Sequence, residues 1–204
     1  MSPTPRTSKR DRYHHGDLRA ALIDTAMELI AEQGVQGFSL AEASRRLGVA
    51  VSAPYRHFAD RDELLLAVGT RVGELLVTAV MAERGGDSPE DRLVAVARGY
   101  VRFAAKHRTL FEAVFGTLSP IAEPELERAT QPVKEAFRTA AMALSGGDPG
   151  AAEALGTAVA ATAHGLAGLL HLGMFGEGER AVDTAVQRAT GATRALVAGR
   201  AALG

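Results

Sequence analysis

An all-α fold is what this 204-residue sequence predicts, on three observations. Aromatic residues make up 5% of the chain and Trp is absent, while alanine and glycine are abundant. Sheets draw on aromatic and β-branched side chains, so this composition suits packed helices. Apolar residues recur at three- and four-residue steps over most of the length. No segment sustains the apolar–polar alternation of a half-buried strand.

The pattern yields about nine helices. The first, at about 16–33, carries Leu18, Leu22, Ile23, Ala26, Leu29 and Ile30 at helical spacing, and Gly34 stops it. Ser39 opens a short helix and Glu42 completes a capping box. Its inner face is Leu40, Ala43 and Leu47, and Gly48 ends it. A third short helix is expected at about 51–57. Asp60 and Glu63 repeat the capping pattern at the head of a fourth helix, which continues through Leu64, Leu65 and Val68 to about residue 83. Gly85, Gly86 and Pro89 mark a break. Further helices are expected at about 89–106, 108–115, 123–144, 150–175 and 179–203, the later ones separated by glycine-rich turns.

The length fits one large domain or two modest ones. With no Cys, no disulfide, zinc–thiolate site or cysteine nucleophile is available, and a reducing compartment, the cytoplasm, is the expected location. Residues 1–13 are polar, without the apolar stretch of a secretory signal. They read as a flexible arm with Arg6, Lys9, Arg10 and Arg12 against Asp11, or as a plain solvated tail. Residues 154–176 lack any charged residue, long enough to span a bilayer, but they hold His164, His171 and several glycines, and Glu153 and Glu177 flank them. A buried helix accounts for them better. No phosphate-binding glycine loop, nucleophile–histidine–acid set or paired-carboxylate motif appears, so neither an enzyme nor a cofactor is expected. His164 and His171 are seven residues apart, about 10 Å along a helix, too far for one metal ion.

Residues 39–58 have the anatomy of a helix-turn-helix. A capped helix is followed by a glycine turn that permits a positive backbone angle, then by a second short helix. Ala43 is small where the helices cross, and Val49 is apolar where the turn tucks inward. The run Tyr55-Arg56-His57-Phe58, followed by Asp60-Arg61-Asp62-Glu63-Leu64-Leu65, resembles the signature of the TetR family of bacterial transcriptional regulators. The likeness begins near Tyr13-His14-His15-Gly16-Asp17-Leu18 and continues through Leu66; beyond that it is looser. Two residues depart from the family pattern. Ala50 stands where the family often has Ser or Thr, a cap worth about 1 kcal/mol, and Pro54 removes an amide.

The resemblance implies an N-terminal helix-turn-helix unit, here residues 14–60, and a C-terminal helical ligand-binding and dimerisation bundle, residues 61–204. Val51, Ser52 and Ala53 are small enough to approach base edges in a major groove. Tyr55 and His57 would hold backbone phosphates, and Arg56 a guanine or a phosphate. Arg61 stands where the family usually has Lys, and with Ser39 and Arg45 it is a further phosphate candidate. Arg10 and Arg12 on the arm would enter a minor groove or follow phosphates. Duller roles are open to several of these: Phe58 as core, Tyr55 as core with a satisfied hydroxyl, His57 as a helix cap. Residues 1–62 carry nine Lys or Arg and eight Asp or Glu, so binding would rest on placement of charge and duplication in a dimer rather than on bulk charge.

Along 150–175 a stripe of small residues (Ala152, Gly156, Ala160, Ala163, Ala167) lies beside a larger one (Leu155, Val159, Thr162, Leu166, Leu169). The small stripe is expected to meet a second copy and the larger one the subunit's own core. The helices at 150–175 and 179–203 would then form a homodimer, which suits a palindromic operator in double-stranded DNA. His164-Gly165 resembles part of the Trp-His-Gly motif of a TetR subgroup, without the Trp. Phe103, His107, Phe111, Phe115, Phe137, Met142, His164 and His171 are candidates to line an effector cavity, or are plain core. The function expected is a ligand-responsive DNA-binding regulator, a repressor released by a small molecule. The alternatives are a helical binding protein or enzyme that keeps the fold without a DNA role, and a non-specific architectural DNA protein, against which the near-neutral charge argues.

Overall fold

A computed structural model describes residues 18–117 and 123–203. Arg10 and Arg12 lie outside the described residues. Among the described residues eight α-helices follow one another: α1 (Leu18–Gly37), α2 (Leu40–Leu47), α3 (Arg61–Ala82), α4 (Pro89–Lys106), α5 (Arg108–Thr117), α6 (Pro124–Leu144), α7 (Pro149–His171) and α8 (Gly178–Ala198). Single 3₁₀ turns at Pro54–Arg56 and Arg200–Ala202 complete the order. The described residues hold no strand, and the all-α expectation holds.

The caps explain the helix starts. Ser39 Oγ accepts from the Glu42 amide at 3.1 Å, Ser88 Oγ from Asp91 at 3.0 Å, and Asp148 Oδ1 from Ala151 at 3.1 Å. Asp60 Oδ1 accepts from the Glu63 amide at 2.9 Å, while the Glu63 carboxylate takes the Ala59 amide at 2.5 Å. Gly34, expected to end the first helix, has φ 73° and ψ 173°, a backbone region essentially confined to glycine; it breaks α1, and the chain turns helical again for a few residues. Helix α7 stops at His171, short of the expected residue 175, because Gly173 has φ 74° and the Met174 amide turns back to the Leu169 carbonyl at 3.0 Å. Helix α8 ends at Ala198, before the expected residue 203, where the Gly199 amide bonds the Ala195 carbonyl at 2.9 Å and the chain tightens into the 3₁₀ turn at Arg200–Ala202.

The chain divides into two compact units between Val68 and Gly69, inside α3. The first unit buries Leu22, Ala26, Leu29 and Ile30 of α1 against Phe38, Leu40, Ala43, Phe58 and Leu64. In the second, α4 packs on α6, α7 and α8, and α7 also packs on α6 and α8. A Cβ at Gly99 would lie 3.0 Å from the Val80 backbone, so this glycine lets α3 and α4 approach closely. Just after α3, Glu83 pairs with both Arg98 and Arg102 of α4.

Two expectations about apolar helices change. The small stripe of α7 does not face outward: Ala152, Gly156, Ala163 and Ala167 are buried within the subunit, and a Cβ at Gly156 would sit 3.8 Å from Ala141 of α6. With α4, α6 and α8 all crowding α7, the small side chains are spent on internal helix contacts. Leu155 and Val159 are buried as well, whereas Leu169 and Leu172 are exposed, Leu172 by 77%. The charge-free stretch is thus largely a core helix. Among the described residues α3 is the helix long and apolar enough to cross a membrane; half of its most apolar window is buried, and an Arg71–Glu74 pair at 3.0 Å lies on its exposed side.

Candidate functional site

The helix-turn-helix is built from α2 outward. Gly48 adopts φ 70°, ψ 27°, its amide reaches the Arg45 carbonyl at 3.2 Å, and the next amide, Val49, returns to Ser44 at 3.0 Å. The chain therefore leaves α2 through a tight left-handed turn that a side chain would strain. Arg46 forks onto Glu32 of α1 at 2.9 and 2.7 Å, and these hydrogen bonds, helped by the Arg46 charge, hold the Glu32 carboxyl below its usual range.

The helix expected at 51–57 is shorter than the spacing suggests. Residues 51–53 form a turn and only Pro54–Arg56 a 3₁₀ turn. Pro54 is the cause. It has no amide to give the Ala50 carbonyl, which is taken at 2.8 Å by Ala53 instead; Arg56 then bonds Ala53 at 3.2 Å and His57 bonds Pro54 at 2.8 Å. The result still separates two faces. Pro54 and Phe58 are buried, Ala53 and His57 half-buried, and Val51, Ser52, Tyr55 and Arg56 exposed. Val51 is 59% and Tyr55 58% exposed, two large side chains left uncovered on one short segment. Phe58 is braced by Arg19, whose guanidinium carbon lies 5.1 Å from the ring centre, a contact with no pattern in the sequence to announce it.

The other candidates differ in availability. Arg45 is exposed and pairs with Glu42. Ser39 is half-buried, and its oxygen is engaged as the α2 cap. Arg61 is turned inward. Its Nε donates to the Phe38 carbonyl at 3.1 Å, its Nη2 donates to Val35, its guanidinium carbon lies 5.3 Å from the Phe38 ring centre, and its third nitrogen lies 3.6 Å from Asp62.

In the second unit, the effector candidates fall into three places. Phe137 and Met142 line a groove of about 520 Å³ between α6 and α7. Phe103 and His107, with ring centres 4.8 Å apart, line one of about 400 Å³ with α3. Phe111, Phe115, His164 and His171 share a recess of about 320 Å³ between α5 and α7. There Phe111 lies 4.7 Å from Phe115, 5.5 Å from His164 and 5.8 Å from His171, centre to centre. Tyr100, absent from the expected set, stands edge-on to Phe111 at 5.6 Å and bonds His164 Nδ1 at 3.0 Å. A helical-period stripe gives no sign of this, because its partner is 64 residues away. His171 Nε2 donates to the Ala104 carbonyl at 3.0 Å, and its Nδ1 lies 3.2 Å from Glu112 Oε1, which also accepts from Arg108 Nε at 3.1 Å. Among the described residues no group of three or more His, Cys, Asp or Glu could hold a metal ion.

Half-burial and the neighbouring Lys106 charge lower the His107 pKa from its ordinary 6.5. The unfolded chain therefore takes up this proton at a higher pH than the folded one. His107 favours folding fully above about pH 6.5, and that share is lost as pH falls through the lower folded value. Melting curves between pH 7.5 and 5 are expected to show a smaller loss of Tm in His107→Gln than in the parent; an equal loss would remove His107 as the cause.

Two family models match the chain. One, described as bacterial regulatory proteins of the tetR family, covers residues 22–68, ending where the first compact unit ends. The other, a tetracyclin repressor-like C-terminal domain, covers residues 93–193. An uncharacterized HTH-type transcriptional regulator of Haemophilus influenzae is 33% identical over 124 residues, 60% of this chain and 55% of that protein. The HTH-type transcriptional regulator BetI of Rhizobium meliloti is 31% identical over 81 residues, 39% of this chain and 40% of BetI. The matches thus span about half the length of these relatives. A solved protein of unknown function from Rhodococcus sp. RHA1 is 30% identical, covers 91% of this chain and 98% of its own, and superposes with a TM-score of 0.76. With the helix-turn-helix falling under one model and the helical bundle under the other, the chain belongs to the tetR family of bacterial regulatory proteins.

Proposed function

We propose that this chain is a ligand-responsive transcriptional regulator in the cytoplasm, a repressor that binds a palindromic operator as a homodimer and is released by a small molecule. The single observation that carries the reading is the exposed set Val51, Ser52, Tyr55 and Arg56, presented outward by a segment anchored on buried Pro54 and Phe58. Val51, Ser52 and Ala53 approach base edges, Tyr55 and His57 hold phosphates on either side, and Arg56 reaches a guanine or a phosphate. Ser39 and Arg45 at the two ends of α2 add phosphate contacts, as do Arg10 and Arg12 of the arm. Residues 14–60 make up the DNA-binding part and 61–204 the sensing and pairing part.

A single half-site reads too few bases for an address in a genome, so two copies are needed, spaced by about one turn of the duplex. The exposed run Ala161, Gly165 and Leu169 on the outer side of α7, with Leu172 just past its end, supports pairing through α7 and α8. An effector bound in the second unit would act through a preference for one setting of α3, and its differential affinity for the two settings is the whole of the coupling.

Tyr55→Ala combined with His57→Ala is expected to weaken operator binding about 10- to 100-fold, with the slope of log K against log salt close to the parent's, because neither substitution removes a Lys or Arg from a phosphate. Mobility-shift titration with the DNA upstream of the gene, run at several salt concentrations, reads both. If no such DNA is held more tightly than random sequence, or the double variant binds as the parent does, the reading fails. A helical binding protein without a DNA role would keep its ligand and show no operator preference in the same titration.

A further inference from the structure

We propose that the effector is a small aromatic carboxylate seated in the recess between α5 and α7, an inference that rests on the regulator reading above. The volume, about 320 Å³, is at the low end for ligand sites and about twice that of a cavity that takes benzene. A single ring with a short substituent fits it with room to spare. The walls suit a ring. Phe111 and Phe115 lie 4.7 Å apart at 42° and leave a tilted aromatic face, with His164 5.5 Å from Phe111.

The polar groups select the sign of the charge. Glu112, the carboxylate lining the recess, takes Arg108 Nε at 3.1 Å and faces His171 at 3.2 Å, both on its Oε1. The adjacent Arg108 charge offsets its pull on a cation. Donors, in contrast, remain unspent. Arg108 gives the protein only its Nε, and among the described residues its two terminal nitrogens have no acceptor. His164 has its Nδ1 against the Tyr100 hydroxyl at 3.0 Å. Desolvation pushes the Tyr100 phenol up from its ordinary value, so it stays neutral, and its proton has no other protein acceptor among the described residues. The hydroxyl therefore donates to Nδ1, and the imidazole proton sits on Nε2 of a side chain exposed at the rim. A forked cation and an N–H donor beside an aromatic wall are the complement of an aryl carboxylate.

Full-length protein titrated with benzoate by calorimetry and thermal shift tests this, with benzamide and cyclohexanecarboxylate as comparators and operator mobility shift run in parallel. Benzoate is expected to bind, each comparator at least about ten-fold more weakly, and to loosen the operator. Arg108→Gln and His164→Leu are expected to weaken benzoate at least about ten-fold; Arg108→Gln, at an exposed position, leaves the ligand-free Tm in place, whereas His164→Leu lowers it because the Tyr100 hydroxyl loses its acceptor. Absence of benzoate binding up to about 10 mM, or binding that neither variant alters, overturns the inference, and an intact operator complex in the same samples shows that the regulator reading stands. Benzoate binding that depends on Arg108 but leaves operator affinity unchanged overturns its role as effector. Benzoate binding without any operator preference keeps the recess and removes the regulator.

Discussion

Phe58→Ala is expected to abolish operator binding at 37 °C without touching any group that meets DNA. Phe58 is 1% exposed and is among the largest fully buried side chains. Truncating a buried phenylalanine costs about 3–5 kcal/mol, the lost transfer energy plus the cavity left behind. A unit of this size has a total stability of only about 3–7 kcal/mol, so the substitution removes most of it. The ring also seats the short reading segment, because the Phe58 amide bonds the Pro54 carbonyl at 3.0 Å and both residues are buried. Chemical denaturation is expected to show an early transition for the first unit in the variant, with the second unit's transition in place. Phe58→Leu keeps most of the volume and is expected to cost less than about 1.5 kcal/mol and retain binding. If Phe58→Ala binds the operator at 37 °C as the parent does, this residue is not the anchor described.

Arg61→Ala carries the second large effect, and it discriminates between two roles for one cation. By sequence it is a phosphate contact. Its guanidinium, however, donates to the Phe38 and Val35 carbonyls that follow the break at Gly34, and it stacks on the Phe38 ring. Hydrogen bonds with one charged partner are worth about 1.5–3 kcal/mol each, and the side chain is about one-third exposed, so a loss of about 2 kcal/mol in the first unit's stability is expected. Operator affinity should fall with that stability while the salt slope stays that of the parent. A phosphate contact behaves in the opposite way, with unchanged denaturation and a slope flatter by about one. Arg61→Lys separates them further, because a point charge can replace a phosphate contact but cannot span two carbonyls.

Those two residues show what the sequence could and could not deliver. Phe58 was legible because an apolar ring four residues after Pro54 has only one face to go to. Ser39 with Glu42 and Asp60 with Glu63 were legible because capping is local chemistry within four residues. The short second helix was overextended, since periodicity counts side chains and is blind to the amide Pro54 lacks. The small stripe on α7 was visible, but its direction was not: small residues permit close approach to any helix, and α4, α6 and α8 of the same subunit crowd α7. Tyr100, Arg19 and the inward turn of Arg61 depend on neighbours tens of residues away, which a one-dimensional pattern does not hold. The candidate effector residues were mostly identifiable as aromatic or histidine, yet they separate into three grooves because α3, α6 and α5 each cover a different flank of the bundle.

Pro54 has one more consequence. Without an α-helical ladder, the backbone from Val51 to Ala53 rests on a single internal bond, Ala53 to Ala50. Its remaining amides are expected to trade their protons with solvent far faster than those of α1 or α3 in a hydrogen-exchange measurement. Ordering of such a stretch on an operator is expected to spend part of the interaction energy on freezing motion, read calorimetrically as a more negative entropy and heat-capacity change of association. The expected consequence is tolerance of imperfect dyads, read as near-equal affinity for symmetric and unequal half-sites where a stiff reader would reject the latter.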